Sequence, residues 1–454
     1  MKVYPAPLEI GDEEGFVLEK DLFSRGQLAS GMSHLVEVVE DPLVIAFDGP
    51  WGSGKTTFLK MWAGELRKSG HPVVLFDAFE NDYIEDAFAA LAREIIELAE
   101  KDKLPDIKTL ETFRSSAKSL GALLLKSSAK IGLKIAVRVA TAGLSESDDF
   151  KDLAKDVDKE SESAVDFYMS QLLDKPKKQK EIIYKFREAL QALPGLLSPP
   201  NGEERQKPLI FIIDELDRCK PLFALSLLER VKHFMAVPNV HFVLGVHMRQ
   251  LEGSVRYAYG SDVDAAAYLQ KFINLTILNT VQSKDERVTD LHKYADFLAK
   301  SLSIRSDSES PLKGSAETII RLVRHENMSY RTLERAFTVL ALATAFTPKN
   351  HPQHGAIMGG LVMMKILRPD LFLKAKHGTL TFPEASAFLR FNADGNQIKR
   401  ISWEEKWWMY CLADSLPDDY NDFVNSISFR YHFNERKDII TYTANDVIDR
   451  LTSR

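Results

Sequence analysis

Residues 49–56 read Gly49-Pro50-Trp51-Gly52-Ser53-Gly54-Lys55-Thr56: a glycine, four residues, then Gly-Lys-Thr. This is the spacing of a phosphate-binding loop. Its flanks supply what such a loop needs. Before it, Leu43-Val44-Ile45-Ala46-Phe47 is an apolar run with the composition of a buried parallel strand. After it, residues Thr57 to Leu66 carry apolar side chains at helical spacing. Gly49, Gly52 and Gly54 let backbone N–H groups turn inward around phosphate oxygens without a Cβ clash. The helix N-terminus adds partial positive charge at the same point. The nucleotide-contacting set is therefore predicted to be Gly49, Pro50, Trp51, Gly52, Ser53, Gly54, Lys55, Thr56 and Thr57. Within it, Lys55 is expected to reach the β- and γ-phosphates, and the Thr56 hydroxyl to ligate Mg²⁺. The competing reading is a glycine-rich turn that fits by chance, and both flanks speak against it.

A second segment supplies the other half of a phosphoryl-transfer site. Ile210-Phe211-Ile212-Ile213-Asp214-Glu215 is four apolar residues followed by two acids. In open α/β sheets ligands bind outside the carboxyl ends of the strands, where these acids would lie. Asp214 is placed to hold the Mg²⁺ shell, and Glu215 to orient and deprotonate an attacking water. Further apolar runs at 72–77, 240–246 and 272–278 alternate with helical patterns. They predict an α/β fold with a parallel sheet covered on both faces.

The run continues Leu216-Asp217-Arg218-Cys219-Lys220-Pro221. Asp-Glu-Leu-Asp-Arg-Cys with a proline two residues on resembles the KAP family of P-loop NTPases. Other segments agree: the tryptophan inside the phosphate loop, Val74 to Glu80, Tyr268-Leu269-Gln270-Lys271, and Ser329-Tyr330-Arg331-Thr332-Leu333-Glu334-Arg335. The resemblance covers roughly residues 20–345. It implies a core of the additional-strand, catalytic-glutamate type, in which one strand separates the phosphate-loop strand from the Asp-Glu strand. The strand at 240–246 is the candidate for that position. Its end carries His247 where the family more often has aspartate, so a phosphate-sensing role and a strand-end histidine both remain open. Arg331 and Arg335 share one helix face. The resemblance implies that they act as catalytic arginines over the nucleotide, against the alternative of a solvated basic face. Arg218 is read as an ion-pair partner of a local acid or as an arginine finger toward a neighbouring subunit.

The organisation expected along the chain is a first part of the NTPase core at 1–80, a helical insertion at 81–205, and the rest of the core at 206–284. A helical lid at 285–375 and a C-terminal region of unassigned role at 376–454 follow. In the insertion, Lys118, Lys126, Lys130, Lys134 and Arg138 recur at multiples of four, a basic helical stripe. Its partner is open between the acidic stretch at 146–162, a protein or nucleic acid, and an anionic membrane surface. Trp403 to Tyr410 is the densest aromatic cluster and is read as packing.

Net charge is −6 over 454 residues, so there is no global electrostatic footprint for nucleic acid. Cys219 and Cys411 give neither a disulfide framework nor zinc spacing, and no His cluster suggests a metal beyond Mg²⁺. No apolar signal core and no run of about 20 apolar residues is visible, so a cytoplasmic protein without a membrane span is expected. Together the motifs predict Mg²⁺-dependent ATP hydrolysis by a switch or motor subunit that self-associates or drives a protein effector. The resemblance adds a setting in bacterial antiviral defence. The alternatives are a nucleotide-binding assembly scaffold with little hydrolysis, and a nucleic-acid-stimulated ATPase.

Overall fold

In the computed structural model the apolar runs form one five-stranded sheet of order β2-β3-β4-β1-β5. Its strands are β1 (Val44–Asp48), β2 (Val73–Asp77), β3 (Leu209–Asp214), β4 (Val240–Val246) and β5 (Leu275–Leu278). The structure describes residues 8–83, 87–101, 110–119, 163–198, 206–232, 237–279, 290–302, 311–323, 328–347, 354–391, 402–416, 420, 423–424 and 436–450. Every pairing is parallel. β4 lies between β1 and β3, so one strand separates the phosphate-loop strand from the Asp-Glu strand, as the family resemblance implies.

β3 and β4 are buried at every position. They show no polar alternation because helices cover both faces. The period of two still sorts the side chains. Ile45, Phe47, Ile210, Ile212 and Val243 join a core built with Met32, Val36, Phe58 and Trp62. These last four come from α1 (Gly26–Val38) and α2 (Lys55–Lys68). Val44, Ala46, Leu209, Phe211, Ile213 and Phe242 point to the other face and meet a different set of helices. Phe211 and Phe242 stack there with ring centroids 4.8 Å apart. β5 is shorter than its sequence run, because residues 265–269 are helical and a turn follows them.

The insertion is described only at its ends. Phe113 and Phe186 pack at 5.5 Å and belong to the core under the sheet. Most of the basic stripe and the acidic stretch lie outside the described residues. A second apolar core joins the helices of 290–389 to Trp407, Trp408 and Cys411. The helix Gly355–Leu367 is its centre and is apolar nearly all round. A Cβ on Gly360 would stand 2.6 Å from the Trp408 ring, so that contact requires glycine. The aromatic cluster is therefore packing, as expected, except for Trp403, which is 60% exposed. Both cysteines are free and buried. Among the described residues no helix is long and apolar enough to cross a membrane.

His241, inside β4, is fully buried, and its Nδ1 accepts the Leu43 N–H at 3.2 Å. Burial pushes its pKa down to about 4. The unfolded chain takes up this proton near pH 6.5 while the folded chain refuses it. Stability is thus full above pH 6.5 and falls as pH drops toward 4, by ~3 kcal/mol from this residue. Urea titrations at pH 7 and 4.5 should show a smaller acid loss in His241→Asn than in the parent. Equal losses would remove His241 from the acid response.

Candidate nucleotide-binding site

The site begins where β1 runs into α2. Gly52 (φ 74°) and Gly54 (φ 81°) are both left-handed, and Gly54 caps the helix. Only glycine takes these angles without strain. A Cβ at Gly52 would also stand 3.2 Å from Cγ of Arg331. Lys55 is 7% exposed, and its Nζ donates to the carbonyls of Gly49 and Pro50. Burial lowers its pKa, while the charges of Asp217 and Asp214 work against that.

Asp214 ends β3, where the register sets it beside Gly245 of β4. Its carboxylate fills the space that a side chain at 245 would need: a Cβ there would stand 2.2 Å from Oδ1. Asp214 is buried, and burial raises its pKa to about 6, against hydrogen bonds from Thr56 and from the Glu215 N–H at 2.9 Å. Glu215 is left-handed (φ 59°) and opens a single 3-10 turn, Leu216–Arg218. That turn brings Arg218 Nη1 to 2.5 Å from Glu215 Oε1. The same oxygen accepts from the Thr56 hydroxyl at 3.4 Å. Arg218 is thus the ion-pair partner of a local acid.

Two supports of the loop are not legible in the motif. The indole N–H of Trp51 donates to the carboxylate of buried Asp217, 166 residues away. The Trp51 ring also meets His247 edge-on, at 6.2 Å. On the other side Asn279, just past β5, donates from Nδ2 to Ser53 O (2.9 Å) and Ser53 Oγ (3.2 Å). Its Oδ1 accepts from the guanidinium of Arg25, which pairs with Asp290 at 3.1 Å. The helix Tyr330–Phe346 abuts the loop directly, since Tyr330 N–H donates to Gly52 O at 3.2 Å.

A cavity of about 730 Å³ opens over this arrangement. Gly52, Ser53, Gly54, Lys55, Thr56, Thr57, Asp214, Glu215 and Arg331 all line it. Pro50 and Trp51 line a smaller recess alongside. Gly49 sits at the end of β1, where its carbonyl holds Lys55. Arg335 is exposed and is not among the described residues lining either space, whereas Glu334, between the two arginines, is. Sequence reasoning missed Arg25, Asp217, Asn279 and Glu334. A polar residue at the end of a short apolar strand was the one signal for Asn279.

A parallel sheet in this order, with a glycine loop between a central strand and a helix, defines a P-loop nucleotide-binding fold. The profile of the KAP family P-loop domain matches residues 28–345, and the chain belongs to that family. No curated protein matches it. Among solved structures it is similar to that of the Aeropyrum pernix ORC2 protein in ADPNP–ADP complexes. The identity is 11%, the TM-score 0.37, and coverage 99% of this chain and 97% of that one. Cdc6p from Pyrobaculum aerophilum is similar at 12% identity and TM-score 0.38, over 98% of this chain and 99% of that one.

Proposed function

We propose that this chain hydrolyses ATP with Mg²⁺ as a switch or motor subunit. The observation that supports it is the convergence of Lys55, Thr56, Asp214 and Glu215 on one cavity. A hydroxyl beside a buried carboxylate is an oxygen donor set suited to a hard divalent cation. A cation there would also favour the ionised Asp214 carboxylate, against the burial that raises its pKa. Thr56 and Asp214 would hold Mg²⁺, which when bound would offset charge on the phosphates. Lys55 exchanges its loop carbonyls for phosphate oxygens. The Thr56 hydroxyl, which now donates to Glu215, would give up that contact to the cation. Glu215 accepts a proton from the attacking water, and Arg331, over the loop, offsets charge that develops on the γ-phosphate. Arg335, exposed and outside the cavity lining, has no step in this reading.

The Arg218–Glu215 pair favours a second reading, in which the chain binds nucleotide as an assembly scaffold and hydrolyses it slowly. Self-association or a protein effector would then be the output of either reading. Family membership supports bacterial antiviral defence as the setting. Phosphate release by the parent and by Lys55→Ala tests the hydrolytic role, and equal rates would end it. Phage challenge of cells carrying either form tests the setting. Protection that requires Lys55 is expected, and no protection by the parent would count against it.

A further inference from the structure

The cavity continues beyond the phosphate loop to an end of different chemistry. Its walls there are Phe16, Leu22 and Phe23, from the segment before α1, and Tyr294, Phe297 and Tyr330, from the lid. The rings form one connected surface. Phe23 stacks on Tyr330 at 4.9 Å, Tyr330 meets Tyr294 edge-on at 5.0 Å, and Tyr294 stacks with Phe297 at 6.0 Å. Phe297 is still 41% exposed at the end of this array.

Most polar groups among these rings are already engaged. Asp21 accepts the N–H groups of Arg25 (2.8 Å) and Gly26 (3.0 Å), capping α1. Glu334 accepts the Tyr294 hydroxyl, and Lys20 pairs with Glu14 at 2.6 Å. Glu19, which is exposed, also lines the cavity and is the exception. One cavity therefore has an end with the loop amides, Lys55 and the Asp214–Glu215 acids, and an aromatic end with few free hydrogen-bonding groups. A ligand that complements both has a phosphate tail and a planar heterocycle.

We propose that the aromatic end is the nucleobase subsite, which holds the base by stacking and not by reading its edge. This rests on the reading of the loop as a phosphate site. Because the wall comes from two parts of the chain, a bound nucleotide ties the N-terminal segment to the lid. The two ends also share a support. The Arg25 guanidinium lies over the Phe23 ring at 5.1 Å and holds Asn279, which holds Ser53 of the loop. Every base has a π-face, so stacking alone tolerates adenine and guanine alike.

The test is calorimetric titration of the full chain with ADP, GDP and inorganic pyrophosphate, all with Mg²⁺. These ligands probe the site without γ-phosphate turnover. The parent should bind ADP at least about tenfold tighter than pyrophosphate, and GDP within about tenfold of ADP. Phe23→Ala and Phe297→Ala should each lose about 5- to 100-fold in ADP affinity while keeping pyrophosphate affinity. Lys55→Ala should weaken both ligands. Phe297 is half exposed, so Phe297→Ala decides the matter if Phe23→Ala fails to fold. Parental ADP affinity in Phe297→Ala, with both ligands lost in Lys55→Ala, overturns the base subsite and leaves the phosphate site standing. Failure of the parent to bind either ligand overturns both. A preference of about a hundredfold between ADP and GDP overturns stacking as the mode.

Discussion

Glu215→Gln is expected to bind ATP as the parent does and to release phosphate at least about a hundredfold more slowly. The amide is isosteric, so the 3-10 turn and the cavity shape persist. What is lost is the ability to accept a proton from water, a contribution of ~10²–10⁴ in rate for a positioned base. Lys55→Ala should fail differently, losing affinity together with turnover, because Lys55 is the buried cation at the phosphate end. Nucleotide titration beside steady-state phosphate release separates the two. Parental turnover in Glu215→Gln would take water activation away from that residue. Glu215 is paired with Arg218 and with the hydroxyl of Thr56, so on the proposed mechanism these contacts would have to be exchanged before the carboxylate is free.

The second large effect is expected far from any obvious motif residue. Gly245→Ala would put a methyl 2.2 Å from the Asp214 carboxylate and 2.6 Å from Cδ1 of Leu59, at the centre of the sheet. Overpacking of this kind costs about 1–3 kcal/mol. The catalytic loss should be larger in proportion, since a displacement of about 1 Å in a positioned group costs on the order of a hundredfold. Gly253→Ala is the control. It lies in the helix Met248–Tyr259, and its Cβ would meet nothing within 4 Å. There alanine should add up to about 1 kcal/mol of helix stability and leave phosphate release alone. Urea midpoints and phosphate release in both variants check this. Parental turnover in a folded Gly245→Ala would show that Asp214 is not held by that packing.

What the sequence made legible was whatever is encoded in short range. The loop, the strand that ends in Asp214 and Glu215, and the intervening strand at 240–246 follow from contiguous residues whose chemistry is local. The placement of one strand between the two motif strands followed from a family resemblance carried by those same residues. The supports were hidden because each half is ordinary alone. Asn279 is a strand-end amide, Arg25 is an arginine ahead of a helix, and Phe23 is one aromatic in a lead-in. Their partners lie 226 residues away for Asn279 and Ser53, and 254 for Arg25 and Asn279. No periodicity links such positions. Gly245 shows the same limit, because its φ does not require glycine and only the neighbouring strand does. The arginines illustrate the converse. A shared helix face was legible, but which of Arg331 and Arg335 meets the cavity depends on where Tyr330 docks on Gly52.

The bond between Trp51 and Asp217 has a consequence for engineering. It makes the two nucleotide motifs one inherited part, although the insertion lies between them in the chain. A phosphate loop transplanted from a relative without the indole would strand a buried carboxylate beside Lys55. A transplanted Asp-Glu segment lacking Asp217 would leave the indole N–H without its acceptor. Chimaeras of this protein should therefore be cut so that positions 51 and 217 travel together, whatever is done to the insertion between them.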